Sequence, residues 1–174
     1  MALIVEDGTG LATAESYISE ADADVYHEKR GNTSWDSVTD KEAALRKATD
    51  YMVQMYRDAW KGIRMSAAQA LDWPRGNVYS TPALASTGGS YPYLVADDIV
   101  PVEVKRACAE LALRAAAAPL SPDLAKDIIS QTVGPITTVY NASSPQQARY
   151  TAIDRMLRPY LATQGAVNSA VVRS

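Results

Sequence analysis

The chain carries one histidine, His27, and one cysteine, Cys108. A serine-type triad would have to use His27. As a general base, His27 would need a substrate proton within hydrogen-bond reach and a third group to orient its ring. Its neighbours are Tyr26 and Glu28, and no supporting motif surrounds it. A surface or capping histidine is the simpler reading. Cys108 alone makes neither an intrachain disulfide nor a cysteine metal site. Glu20, Asp22 and Asp24 stand at i, i+2 and i+4. At a helix start that spacing reads as an acidic first turn opposing the helix dipole rather than as a cation site. The expectation is no catalytic residue, no metal and no cofactor, and the chain is not read as an enzyme.

Two aromatic and basic clusters remain. "DAWKGIR" holds Trp60, Lys61 and Arg64, and "QALDWPRGNVY" holds Asp72, Trp73, Pro74 and Arg75. Indole faces beside cations can stack a base or hold a phosphate, so Trp60, Lys61 and Arg64 are candidates for contact with DNA or with another subunit, although the sequence favours a solvated helix end whose cations complement the dipole. The structural alternative for the second cluster is a helix stop. Asp72 pairs with Arg75 across a turn, Pro74 forces the chain out of helix, and Trp73 plugs the gap beneath. The sequence favours that structural corner.

These residues need elements to hold them. "SYISEADADVYHEKRG" reads as a helix with a Ser19/Asp22 capping box and Gly31 as its stop. "SVTDKEAALRKATDYMVQMYRDAWKG" reads as a long helix with a Thr39/Glu42 capping box. Its buried face is Leu45, Ala48, Met52, Met55, Tyr56 and Ala59. "SAAQALDW" predicts a short helix, and 76–98 a long loop rich in Gly, Pro, Ser and Thr. "IVPVEVKRACAELALRAAAAPL" predicts a second long helix that buries Val104, Ala107, Cys108, Leu111 and Ala115. "AKDIISQTVGPITTVYN" changes to a two-residue period and predicts a hairpin near 126–140. "SPQQARYTAIDRMLRPYLA" returns to helix, thinned near Pro159. "ALIV" near the start suits an edge strand. The expected fold is mainly α: one compact helical bundle over 1–162 with a short β-hairpin, then an extended C-terminal arm over 163–174. In that arm, alternating "AVNSAVVRS" suits either a frayed tail or a strand added to a neighbour's sheet.

Bulk properties narrow the class. The 174 residues are 47% apolar and 21% charged, enough for one domain with a real core. A net charge of -3 argues against a protein that coats nucleic acid, yet suits a wall past which DNA slides. "MALIVEDGTG" is acidic where a secretion signal needs basic residues, and nothing approaches the roughly 20 apolar residues of a membrane span. A soluble protein is expected.

Several stretches taken together look familiar. "MALIVEDGTGLATAESYISEADADVYHEKRGNTSW", "KATDYMVQMYRDAWKGIRMSAAQALDWPR", "VPVEVKRACAELALRA", "VGPITTVY" and the terminal "VVRS" occur in an order that spans nearly the whole chain. In this the chain resembles the head-tail connector (adaptor, or head-completion) proteins of tailed bacteriophages and prophages. Some members of that group are labelled DnaT-like single-stranded-DNA-binding proteins. The resemblance implies a structural virion protein at the head-tail interface, present in the host cytoplasm during assembly. Such adaptors form a ring, usually of twelve copies, beneath the portal. The ring lengthens the DNA channel and offers the tail a platform. Implied partners are the portal protein, neighbouring adaptor subunits, a tail-side protein, and packaged double-stranded DNA that passes without sequence-specific binding. No membrane is implied. In related adaptors the C-terminal arm packs on the portal, which here points to Val167, Val171, Val172 and Arg173. The loop 76–98 and the hairpin 126–140 are the implied contacts with tail or neighbours. The competing expectation is a single-stranded-DNA-binding protein that uses the Trp/Lys/Arg patch.

Overall fold

The structure, a computed structural model, describes residues 2–86, 89–122, 128–132, 137–140 and 148–162, with side chains for 2–80, 93–122 and 148–162. Four α-helices stand among them: α1 (Glu20–Glu28), α2 (Lys41–Tyr56), α3 (Val102–Ala117) and α4 (Thr151–Leu157). Three two-stranded antiparallel sheets accompany the helices. They are β1 (Ile63–Arg64) with β2 (Arg75–Gly76), β3 (Tyr79–Ser86) with β4 (Gly89–Leu94), and β5 (Ile128–Thr132) with β6 (Thr137–Tyr140). The protein is therefore a small mixed α/β domain. The helical body is present, but the β content exceeds the single expected hairpin.

The helix starts follow from their caps. Ser19 accepts a hydrogen bond from the Asp22 amide at 3.1 Å and donates to the Asp22 carboxylate at 2.8 Å. α2 is capped by Asp40, which accepts from the Ala43 amide at 2.9 Å, and not by the expected Thr39. Asp caps at least as well as Thr, and starting at Lys41 leaves Glu42 one position short of the capping-box site. Glu42 pairs instead with Arg46 at 3.3 Å. In α3, Pro101 occupies the cap position and needs no amide donor there.

The buried side chains form one continuous cluster. α2 contributes Leu45, Ala48, Met52 and Tyr56, and α3 contributes Val104, Ala107, Cys108, Leu111 and Ala115. Small residues let the two helices approach closely, and the Thr49 hydroxyl lies 3.3 Å from the Cys108 sulfur. Burial pushes the Cys108 thiol up, which leaves it an inert core residue. α4 buries Ile153 and Leu157, then tightens into a 3-10 turn, Arg158–Tyr160, with Pro159 inside it.

Three expectations fail for identifiable reasons. Residues 66–73 form no helix. The buried Gln69 amide takes over the backbone bonds there: it accepts from the Ser66 amide and donates to the Leu71 and Pro74 carbonyls, at 2.9 to 3.1 Å. The loop 76–98 is largely the β3–β4 ribbon. Pro82 and Pro92 fall where its register is interrupted, between the Ser80–Tyr93 and Leu84–Tyr91 pairs, and they mask the strands in sequence. The edge strand at the N-terminus reduces to one parallel bridge, Val5 to Ser16. The turn after it is built on buried Glu6, whose carboxylate accepts from the amides of Gly8, Gly10 and Leu11, each at 2.9 Å. Gly8 is required there, because a Cβ would lie 1.9 Å from the Asp98 carbonyl oxygen. The hairpin expected near 126–140 is present as β5–β6. The arm 163–174, with Val167, Val171, Val172 and Arg173, lies outside the described residues.

His27 is not at the surface. It is 1% exposed, and its ring lies 4.7 Å from that of Trp35. Nε2–H donates to the Ala109 carbonyl at 3.1 Å, and Nδ1 accepts from the Asn32 amide nitrogen at 3.0 Å. This is the neutral ring pinning α1 to α3. Burial pulls its pKa below the ordinary value. The unfolded chain therefore takes up a proton near pH 6.5 that the folded chain refuses, so this contribution is whole above about that pH and shrinks as pH falls through it. Urea melts should lose stability from pH 7.5 to 5.5, above the carboxylate range. In His27→Gln that slope should flatten; an unchanged slope would contradict the assignment.

Candidate functional site

The two clusters singled out in sequence meet at one corner. α2 ends at Tyr56, and the following turn carries Trp60 inward to a bridge with Leu161. The chain is tied there to the last helical turn: the Lys61 amide donates to the Tyr160 carbonyl at 2.9 Å and the Ala162 amide to the Ala59 carbonyl at 2.7 Å. Trp73 sits between Trp60 and Tyr160, edge to face with both, at 5.7 Å between centroids in each case. Such pairs add about 0.5–1.5 kcal/mol each beyond the area they bury. Trp73 is fully buried and Trp60 is 5% exposed. Neither indole N–H meets an acceptor, so the rings are held by packing. The Trp73–Pro74 peptide is cis.

Arg75 closes the corner from below. The β1–β2 pairing sets Arg75 opposite Arg64 and brings its side chain under the 61–62 turn. Its Nε donates to the Lys61 carbonyl and Nη2 to the Gly62 carbonyl, both at 2.8 Å, and Nη1 to the Asp72 carbonyl at 3.3 Å. Gly62 allows the close approach: its φ is +69°, and a Cβ there would lie 2.2 Å from the Gly76 carbonyl oxygen. The expected Asp72–Arg75 carboxylate pair does not form. The Asp72 carboxylate instead accepts from Arg57 Nε at 3.1 Å, and the Asp72 amide donates to the Tyr17 hydroxyl at 3.1 Å. Arg57 reaches Asp72 because both lie beside the same helix end, while Arg75 is occupied by carbonyls.

The indoles of the expected stacking patch are thus turned inward, while Lys61 and Arg64 stay partly exposed. Trp60 is in the core. Lys61 donates to the carbonyls of Pro159 at 2.8 Å and Tyr79 at 3.1 Å. The Arg64 guanidinium donates to the Gln69 carbonyl. No base could stack on either indole without opening the corner. The acids of α1 are similarly engaged: Asp22 with Ser19, and Asp24 with Trp35 Nε1 at 2.7 Å and Lys41 at 2.8 Å. Among the described residues no group of three potential ligands could hold a metal ion.

One protein family, described as "Putative DnaT-like ssDNA binding protein", matches the chain over residues 1–174. The chain belongs to this family. No curated protein and no solved structure matches it. This DnaT-like chain has an inward Trp/Arg corner and an outward apolar surface nearby. Tyr79 pairs with Leu94 and Ser80 with Tyr93 at the root of the β3–β4 ribbon, and Tyr79, Tyr93 and Leu94 are 49–60% exposed. Tyr93 also lines a groove of about 490 Å³ with Val95, Ile99, Val102 and Tyr160. Periodicity misses this surface because the strands themselves were hidden.

Arg75→Ala should cost about 3 kcal/mol in urea denaturation, since three carbonyls lose a charged donor. Trp73→Ala should cost about 3–5 kcal/mol. A cost under about 0.5 kcal/mol for both would mark a surface site instead.

Proposed function

We propose that this chain is a structural adaptor of the head-tail joint of a tailed phage: a ring subunit beneath the portal that extends the DNA channel and receives the tail. The observation that carries this reading is the division of the aromatic residues. The Trp60–Trp73–Tyr160 group is buried in a fixed corner, while Tyr79, Tyr93 and Leu94 stand in solvent at the root of a ribbon that leaves the same corner. A protein that works by contact needs a rigid body and unpartnered apolar surface beside it. The net charge of -3 keeps the body as a whole from coating DNA.

In this reading, residues 163–174 are the arm that docks on the portal, with Val167, Val171, Val172 and Arg173 as its contacts. The β3–β4 ribbon and the β5–β6 hairpin serve neighbouring subunits and the tail side. The second reading is single-stranded-DNA binding, favoured by the family's description. It cannot use Trp60, Trp73 and Arg75 as they stand.

The chain mixed with its portal should form closed rings on it in electron microscopy. Deletion of 163–174 should abolish that association and leave the melting temperature of the body unchanged. Normal assembly of the truncated protein on portals would overturn the arm assignment.

A further inference from the structure

Seventeen basic residues are set against twenty acidic ones, and those near the corner are engaged internally. A different set converges elsewhere. A groove of about 300 Å³ between α1 and α3 is lined by Lys29, Arg30, Lys105 and Arg106, with Asp22 as its one carboxylate. Lys29 and Arg30 form one wall and Lys105 and Arg106 the other. Among the described residues none of the four belongs to an ion pair, as is true of exposed Lys47, Arg149, Arg155 and Arg158; what sets the four apart is that they line one groove. Arg30 is held in place: its guanidinium lies 3.6 Å from the centroid of the Tyr26 ring and donates to the Tyr26 carbonyl at 3.1 Å. The walls are fixed too, by His27 to the Ala109 carbonyl and by the Tyr26 hydroxyl to Glu110, both at 3.1 Å.

Helix stability explains only half of this cluster. Lys29 and Arg30 follow the last turn of α1, where cations complement the dipole. Lys105 and Arg106 are the fourth and fifth residues of α3, in its N-terminal turns, where the dipole gives cations no help. Four cations on two rigid walls face one carboxylate, Asp22, so the groove stays net positive and favours an entering anion.

We propose that the α1–α3 groove binds the phosphodiester backbone of duplex DNA, independently of sequence. The chemistry selects a polyanion: beside Ile18, Val25, Tyr26 and Val102, every lining side chain except Asp22 carries a positive charge. The groove offers no stacking platform. Tyr26 is 8% exposed, and Arg30 covers its face. A single strand therefore gains nothing from its free bases, and the higher charge density of the duplex decides. This inference stands apart from the adaptor reading, because portal docking and DNA contact are measured separately.

The test is fluorescence anisotropy of the full chain with a labelled duplex and with a single strand of equal length, across a salt series. The duplex should bind more tightly at low salt. Lys105→Glu with Arg106→Glu should weaken it at least about tenfold, and Lys105→Ala with Arg106→Ala should make the log–log salt slope shallower by about 2. Exposed Arg149→Ala with Arg155→Ala removes the same charge outside the groove and should change little. Matching melting temperatures keep the comparison fair. Equal loss in the control pair, or no loss in the groove variants, would overturn the site. Tighter binding of the single strand would overturn the backbone-only mode. Binding of polyglutamate but not of DNA would overturn the ligand class in favour of an acidic protein surface.

Discussion

The rest of the structure depends on how Arg75 satisfies three backbone carbonyls that neither helix nor sheet can reach. Lys61, Gly62 and Asp72 lie outside helix and strand, and their carbonyls all accept from the one guanidinium. A buried carbonyl without a donor costs about 1–3 kcal/mol. The planar guanidinium supplies donors to all three from one position, which a lysine cannot do. The result joins the end of α2, the β1–β2 pair and the final Arg158–Tyr160 turn into one unit. The β3–β4 ribbon leaves that unit at Tyr79, three residues after Gly76.

Much of the body is legible in sequence because its helices bury one face. Leu45, Ala48 and Met52, or Val104, Cys108 and Leu111, recur at three and four residues because the core lies on one side of each helix. The β5–β6 hairpin is legible because β-branched residues alternate there. What escapes is structure made by single polar side chains. Gln69 replaces a helix by bonding its own backbone, and His27 enters the core on two hydrogen bonds that no pattern of apolar residues announces. The β3–β4 strands escape because Pro82 and Pro92 read as breakers, although the interrupted register accommodates both. At the corner, Asp72, Trp73, Pro74 and Arg75 are buried as a structural corner needs, but no helix precedes them for Pro74 to stop. The partner of Asp72 does not follow from spacing, because Arg57 arrives from another element.

The placement of the cations separates the functional readings. A nucleic-acid platform needs aromatic faces and cations that share an exposed surface. Here the indoles and Arg75 are inside, and Lys61 and Arg64 bond backbone carbonyls. Lys29, Arg30, Lys105 and Arg106 gather instead between α1 and α3, without exposed rings, while Lys47, Arg149, Arg155 and Arg158 are exposed elsewhere. The exposed rings stand at the ribbon root, without that cluster.

The central claim is that the tryptophan corner is a lock and not a binding face. All three tryptophans, Trp35, Trp60 and Trp73, are at most 5% exposed, so intrinsic fluorescence reports the claim directly. Acrylamide quenching of the native protein should be weak, should be unchanged by saturating single-stranded DNA, and should rise only on denaturation. Strong quenching in the native state that single-stranded DNA suppresses would contradict the account.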